Sequence, residues 1–426
     1  MQYNVLLLGS GGREHALAWA ISKSPLLGEL FIAPGNPGTA QCGTNVSLPL
    51  SDFDGILEFI QQNQIHLTVV GPEQPLVEGL ADFLEDECQV VFGPKKAAAM
   101  LEGSKEFAKA FMQRHEIPTA DYAVFSSQEY EKAEHYIRQK NTYPVVLKAD
   151  GLAAGKGVLI PETEEEARSA LQQLGTGSLK EAASRVVIEE FMAGEEASVF
   201  AVCDGEHYKI IGNAQDHKRI GEGDTGPNTG GMGAYSPAPI VSDDMMHIIE
   251  ERIIKPTVQG MLAEGTPYQG ILYVGLMITE EGPKVVEYNC RFGDPECQVI
   301  VPSLTTDILE LIVATTEGKL KTMEVLFDGK SRCTVVLASE GYPYSYEKGK
   351  EITGVDLVKD ALVFHAGTKE EQDTLYTNGG RVLNVVGAGN SLSSAIEYAY
   401  SGIDSISFEG AYHRKDIGKK GLAHLR

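Results

Sequence analysis

The chain has 426 residues and an ordinary globular composition, 42% hydrophobic and 23% charged. At about 100–200 residues per domain, that length allows about two to four domains, with cores large enough to need no disulfide or metal staple. Sixty acidic residues against 36 Lys and Arg leave a formal charge of −24, which argues against DNA, RNA or an anionic membrane as partner, because their phosphates demand basic surfaces. A small phosphate ligand stays open, since a site needs only local positive charge.

Cys42, Cys88, Cys203, Cys290, Cys297 and Cys333 contain no CxxC pair and read as reduced thiols. Cys290 and Cys297 are expected to pack near the site. The opening MQYNVLLLGSGGREH lacks the basic n-region and small-residue cleavage site of a signal peptide. No apolar run approaches the ~18 residues of a membrane span. A cytoplasmic protein is expected, and its acidic surface, without an obvious exposed apolar helix, points to a monomer.

In chain order, an apolar run at 4–8 enters the glycine stretch Gly9-Ser10-Gly11-Gly12 and then a helical pattern at 14–22. Strands are expected at 30–33, 67–70 and 90–92, with helices at 53–63 and 76–87. This alternation predicts a parallel, doubly wound sheet for residues 1–102. Ser104 is a candidate N-cap for a new helix. Beyond it come strands at 145–148, 158–161 and 186–189, helices at 129–140 and 162–174, a glycine-rich loop at 221–233 and a helix at 243–263. Strands at 271–279 and 284–288 join through Glu280-Glu281-Gly282, a hairpin turn. Runs at 333–339, 362–366 and 382–387 mark an α+β tail from 326 to 426.

Backbone N–H groups at a helix N-terminus form an anion site. Gly11, Gly12, Arg13 and Glu14 occupy that position, and Arg13 adds a fork of donors. The dinucleotide fingerprint fails because Glu14 stands where its third glycine belongs. A different phosphate is the better expectation.

Lys105 opens a helix and Lys148 closes the run Pro-Val-Val-Leu-Lys. The following segment, 149–158, has three glycines in ten positions and carries Lys156. It reads as a mobile cover over phosphates, and it is not a Walker A loop. The strand through Glu189 runs into Phe191 and Met192, where free backbone suits an adenine edge, and a carboxylate a few residues on, such as Glu196, suits ribose hydroxyls. Glu287 and Asn289 share one face of a strand and offer oxygen ligands for Mg2+ or Mn2+. Arg291 follows, placed to stabilise a transferring phosphoryl group. Asp216, Lys218 and Arg219 lie in Gln-Asp-His-Lys-Arg, ahead of Asn228 in a second glycine-rich loop suited to enclosing a small substrate.

Six ordered segments, GSGGREHAL, GPEQPLVEGL, KADGLAAGKGV, QDHKR, GPNTGGMGAYSPAP and EYNCRFGDPE, together with TNGGRV at 377–382, resemble the phosphoribosylamine–glycine ligases of the ATP-grasp superfamily over nearly the full chain. The resemblance implies an N-terminal substrate-binding domain (1–102), an ATP-grasp domain (103–325) with a small lid at about 120–190, and a C-terminal domain (326–426) with nothing further fused. It implies ligation of glycine to phosphoribosylamine using ATP and Mg2+ or Mn2+. Glu189, Phe191 and Met192 would meet adenine, Glu196 the ribose, and Lys105, Lys148, Arg219 and Asn228 the rest of ATP. Glu287 and Asn289 would hold metal, and Gly11, Gly12, Arg13 and Glu14 would take phosphoribosylamine. Arg291, Asp294, Lys218 and Asp216 are the catalytic candidates, with Asp294 placed to orient or deprotonate an amine. The competing readings are another ATP-grasp ligase or carboxylase of the same pathway, a dehydrogenase suggested only by the first glycine loop, and a nucleotide sensor.

Overall fold

The computed structural model describes residues 2–151, 157–176 and 185–425. Residues 152–156, including Lys156, lie outside the described residues.

The first hundred residues form a five-stranded parallel sheet. Its central strands Tyr3–Gly9 and Leu67–Val70 are buried almost throughout, which is why they read as continuous apolar runs rather than alternating ones. The helix Phe53–Gln62 is held at its start by Asp52, which accepts from the Gly55 N–H, and it buries Ile56 and Ile60. The helix expected at 76–87 is two, Glu73–Glu78 and Leu80–Asp86, because Gly79 between them has φ +101°. A short strand, Thr44–Asn45, adds to one edge; two residues are too few to leave a pattern.

A small four-stranded sheet follows, from strands Tyr122–Ser126, Val145–Ala149, Val158–Leu159 and Arg185–Glu190. Helices Tyr130–Lys140 and Glu164–Thr176 close its core. Its apolar cluster is separate from the larger ones.

The main sheet has nine strands, and its central pair, Glu195–Asp204 and Tyr208–Asp216, is absent from the sequence expectations. The second strand mixes polar and apolar residues, which hides it, and Gly205 (φ +97°) turns the chain between the two. The hairpin expected near 280 is present with Thr279 opposite Gly282. The loop expected at 221–233 is partly a ribbon: Arg219–Gly221 pairs with Thr225–Asn228, pinned by the buried Arg414, which donates to the Arg219 carbonyl and to Asp224. The helical region expected at 243–263 is continuous and carries a π-turn at Glu250–Ile254, just ahead of Pro256. Proline has no N–H to donate, and the wider turn absorbs the lost bond.

The main sheet continues through Gly233–Ser236 into Ser331–Ser339 and Arg381–Gly389, so the C-terminal strands extend it. No helix among the described residues is long and apolar enough to cross a membrane. All six cysteines are free, with Cys290 and Cys297 buried.

Candidate functional site

The strand Gly282–Asn289 carries Glu287 and Asn289. Glu287 lies opposite Gly275 and Asn289 opposite Tyr273. A Cβ on Gly275 would come within 3.2 Å of Glu287 Cγ, so the glycine makes room for that side chain. Among the described residues, neither the Glu287 carboxylate nor the Asn289 amide has a hydrogen bond or ion pair, although Asn289 is only 8% exposed. Glu287 is half-buried, so this pair of oxygen donors is open to a ligand from outside the protein. Lys105 and Lys218 both feel the Glu287 charge. The donor set fits a hard divalent cation. Among the described residues no group of three or more His, Cys, Asp and Glu forms a metal cage, which suits a cation that shares its shell with phosphate oxygens and water.

Lys105 is half-buried, donates to the Gly151 carbonyl at 2.8 Å, and is lowered by burial against the pull of Glu287. Its helix starts as expected: Ser104 Oγ accepts from the Phe107 N–H at 3.1 Å, and Asp150 accepts from the Lys105 N–H at 2.6 Å. Lys148, 5% exposed, lies 2.9 Å from Glu189 Oε1 and donates to the Val286 carbonyl at 3.1 Å. Lys218 pairs with Glu196 and lies 3.4 Å from Asp216 Oδ1. Burial pushes Asp216 upward and Lys218 opposes that shift. Lys218 itself is held well above the ordinary lysine value: burial would lower it, but Asp216 and Glu196 prevail. Among the described residues, the backbone of Phe191, Met192 and Ala193 has no hydrogen-bond partner. Arg219 and Asn228 face each other across the ribbon, and Arg219 Nη1 donates to the Gly226 carbonyl at 2.6 Å.

The first glycine loop meets the main sheet at a second junction. The Gly11 N–H donates to Glu14 Oε2 at 2.6 Å and the Arg13 N–H to Asp294 Oδ2 at 3.3 Å. The helix N-terminus is thus served by the protein's own carboxylates. A Cβ on Gly71 would fall 2.2 Å from Glu14 Oε1, so the carboxylate fills the hollow behind the loop. The Arg13 guanidinium is spent on Glu14 at 2.6 Å and the Phe292 carbonyl at 3.0 Å. Arg381, from the C-terminal strands, donates to the carbonyls of Gly230 and Asp294, each at 2.6 Å, and its Nη2 lies 3.4 Å from Asp294 Oδ1.

The sequence matches the phosphoribosylglycinamide synthetase family along its length: the N domain over residues 3–102, the ATP-grasp (A) domain over 103–297 and the C domain over 332–420. It is 49% identical over 425 residues to a phosphoribosylamine–glycine ligase of Chlorobaculum tepidum, covering 98% of this chain and 100% of that one. It is 50% identical to one of Mesorhizobium japonicum, with 99% of each chain covered. The chain belongs to the phosphoribosylglycinamide synthetase family. The crystal structure of the Thermotoga maritima phosphoribosylamine–glycine ligase superposes with a TM-score of 0.85 at 39% identity, covering 97% of this chain and all of that one. The biotin carboxylase domain of the Hydrogenobacter thermophilus 2-oxoglutarate carboxylase shares the fold, with a TM-score of 0.73, 15% identity and coverage of 97% of this chain and 92% of that one. As a phosphoribosylglycinamide synthetase, the protein is an ATP-dependent ligase of purine biosynthesis, using ATP and a divalent metal.

Three expectations change in this family member. Arg291 is not free to meet a phosphoryl group: Nε binds Glu73 Oε2 and Nη2 binds Glu102 Oε1, both at 3.1 Å. Asp294 is a poor base. Burial alone would raise it, but Arg381 and Arg13 hold it below the usual carboxylate range. Glu189 is 2% exposed with both oxygens facing lysines, so its side chain is not presented to an adenine. The sequence expectations also miss Lys109, Tyr273 and Glu296. Tyr273 accepts from Ser198 Oγ at 2.9 Å and donates to Glu296 Oε1 at 2.8 Å. Lone polar residues within apolar strands and helices carry no local signal.

Proposed function

We propose that this chain ligates glycine to 5-phosphoribosylamine, giving glycinamide ribonucleotide, ADP and phosphate through glycyl phosphate. The observation that carries the reading is the unpartnered Glu287–Asn289 pair, whose carboxylate charge Lys105 and Lys218 feel, within a chain 49–50% identical to proteins of that named activity.

Glycine's carboxylate resists attack because its two oxygens share a negative charge. A carboxylate oxygen takes the γ-phosphoryl group and ADP leaves. The phosphoribosylamine nitrogen then attacks the carbonyl carbon, the bond to phosphate breaks, and the nitrogen gives up a proton. Glu287 and Asn289 would hold Mg2+ or Mn2+, which neutralises phosphate charge when bound. Lys105, Lys148, Arg219 and Asn228 serve ATP, the free backbone at Phe191 and Met192 serves adenine, and Glu196 serves the ribose. Glu189 sets Lys148, while Lys218 and Asp216 line the reacting end. Arg291 and Asp294 act as positioning residues, and the region of Gly11, Gly12, Arg13 and Glu14 takes phosphoribosylamine. Orientation of this kind saves roughly 7–11 kcal/mol of barrier, and hiding the acyl phosphate from water prevents its loss. We assign the domains to 1–102, 103–325 and 326–426, and a monomer without nucleic-acid or membrane partners.

Glycine labelled with heavy oxygen in its carboxylate tests the intermediate. One labelled oxygen should appear in the released phosphate, and unlabelled phosphate would exclude glycyl phosphate.

A further inference from the structure

Glu189 is shared by two buried lysines from different elements. Lys109 Nζ lies 3.0 Å from Oε2 and Lys148 Nζ 2.9 Å from Oε1. Lys109 stands on the helix Lys105–Arg114, while Lys148 and Glu189 stand on paired strands of the small sheet. Both lysines also reach the strand that carries Glu287. Lys148 donates to the Val286 carbonyl at 3.1 Å. Lys109 donates at 2.8 Å to Thr119 Oγ1, which donates at 2.7 Å to the Val285 carbonyl. The cluster therefore braces the small sheet against the residues just ahead of Glu287. One carboxylate against two ammonium groups leaves a positive charge uncompensated in a buried place, which is costly unless an anion completes it. Lys148 is the lysine that also interacts with Lys105 and Glu196. Lys109 sits behind it, 5.9 Å from the Tyr122 ring centroid.

We propose that Lys109 is a positioning residue for ATP: it takes up part of the Glu189 charge, and so loosens the hold of Glu189 on Lys148, whose ammonium then serves the nucleotide phosphates as well. Without Lys109, Lys148 alone balances Glu189, and the ion pair already present at 2.9 Å holds the Lys148 charge more strongly. This rests on the ATP site assigned above.

Steady-state kinetics of the full chain decide it, using Lys109→Met, the double variant Lys109→Met/Glu189→Gln, and Lys105→Met as a control on the ATP site. Lys109→Met should raise KM for ATP about tenfold, with kcat and KM for glycine within about twofold. The double variant, which removes the carboxylate that would capture Lys148, should return KM for ATP to within about threefold of the parent. An unchanged KM for ATP in Lys109→Met overturns the proposal, as does an equal rise for every substrate. If Lys109→Met does not fold, the double variant decides alone, and a KM for ATP raised tenfold there overturns it. Lys105→Met without effect on ATP would instead remove the underlying site assignment.

Discussion

A buried carboxylate keeps its charge only with a cation or several N–H donors at hand, and this chain meets that demand differently at each position. Glu189 has two lysines. Glu73 and Glu102 share Arg291. Asp294 has Arg381, Gln298 and a helix N–H. Glu287, half-buried, has no ion-pair partner among the described residues, and for that reason it is the proposed metal ligand. Arg291→Met should cost stability, about 3–5 kcal/mol, because it removes the cation from the buried Glu102 as well as from the partly exposed Glu73; urea unfolding reads the loss. A change under about 1 kcal/mol would mean that water reaches that arginine. Histidines set the acid limit. Burial holds His15 at about 3 and His217 and His365 at about 4, so all are neutral in the fold but take protons once unfolded. The stability they add is complete above the unfolded value of ~6.5 and is lost as pH falls toward about 4. His217→Phe should flatten the slope of unfolding free energy over that range. An unaltered slope would show that His217 gains its proton inside the fold.

Elements were legible where one physical signal dominated. The parallel strands and the hairpin near 280 stand close to their expected positions, because uninterrupted apolar runs and a Glu-Glu-Gly turn have few other uses. The pair Glu195–Asp204 and Tyr208–Asp216 was not legible, since the partners that bury it are distant strands. Gly79 shows the opposite failure: the apolar spacing runs through it, but its φ of +101° breaks the helix. The nearest atom to a Cβ there is Lys96 Cδ at 3.4 Å, so space is not the obstacle. Gly79→Ala should cost about 1–2 kcal/mol from backbone strain alone, read by thermal unfolding with unchanged KM values. A neutral substitution would mean that the two short helices can rejoin.

At the scale of the molecule, the sheet that carries Glu287 runs on into the C-terminal strands, and Arg381 and Arg414 tie those strands to the loops around the cleft. The proposed metal and phosphate ligands were readable from motifs because such ligands must be particular residue types. The residues that hold them were not, because Lys109, Glu102 and Arg381 act through contacts 80 or more positions away, as in Lys109–Glu189, Glu102–Arg291 and Arg381–Asp294. The central claim is a three-substrate ligation on the Glu287–Asn289 strand. ADP release with ATP, a divalent metal, glycine and freshly made phosphoribosylamine, each omitted in turn, tests it most directly. The account predicts release that needs all of them and falls at least about a hundredfold in Glu287→Ala. Release sustained without glycine or phosphoribosylamine, or undiminished in Glu287→Ala, would contradict it.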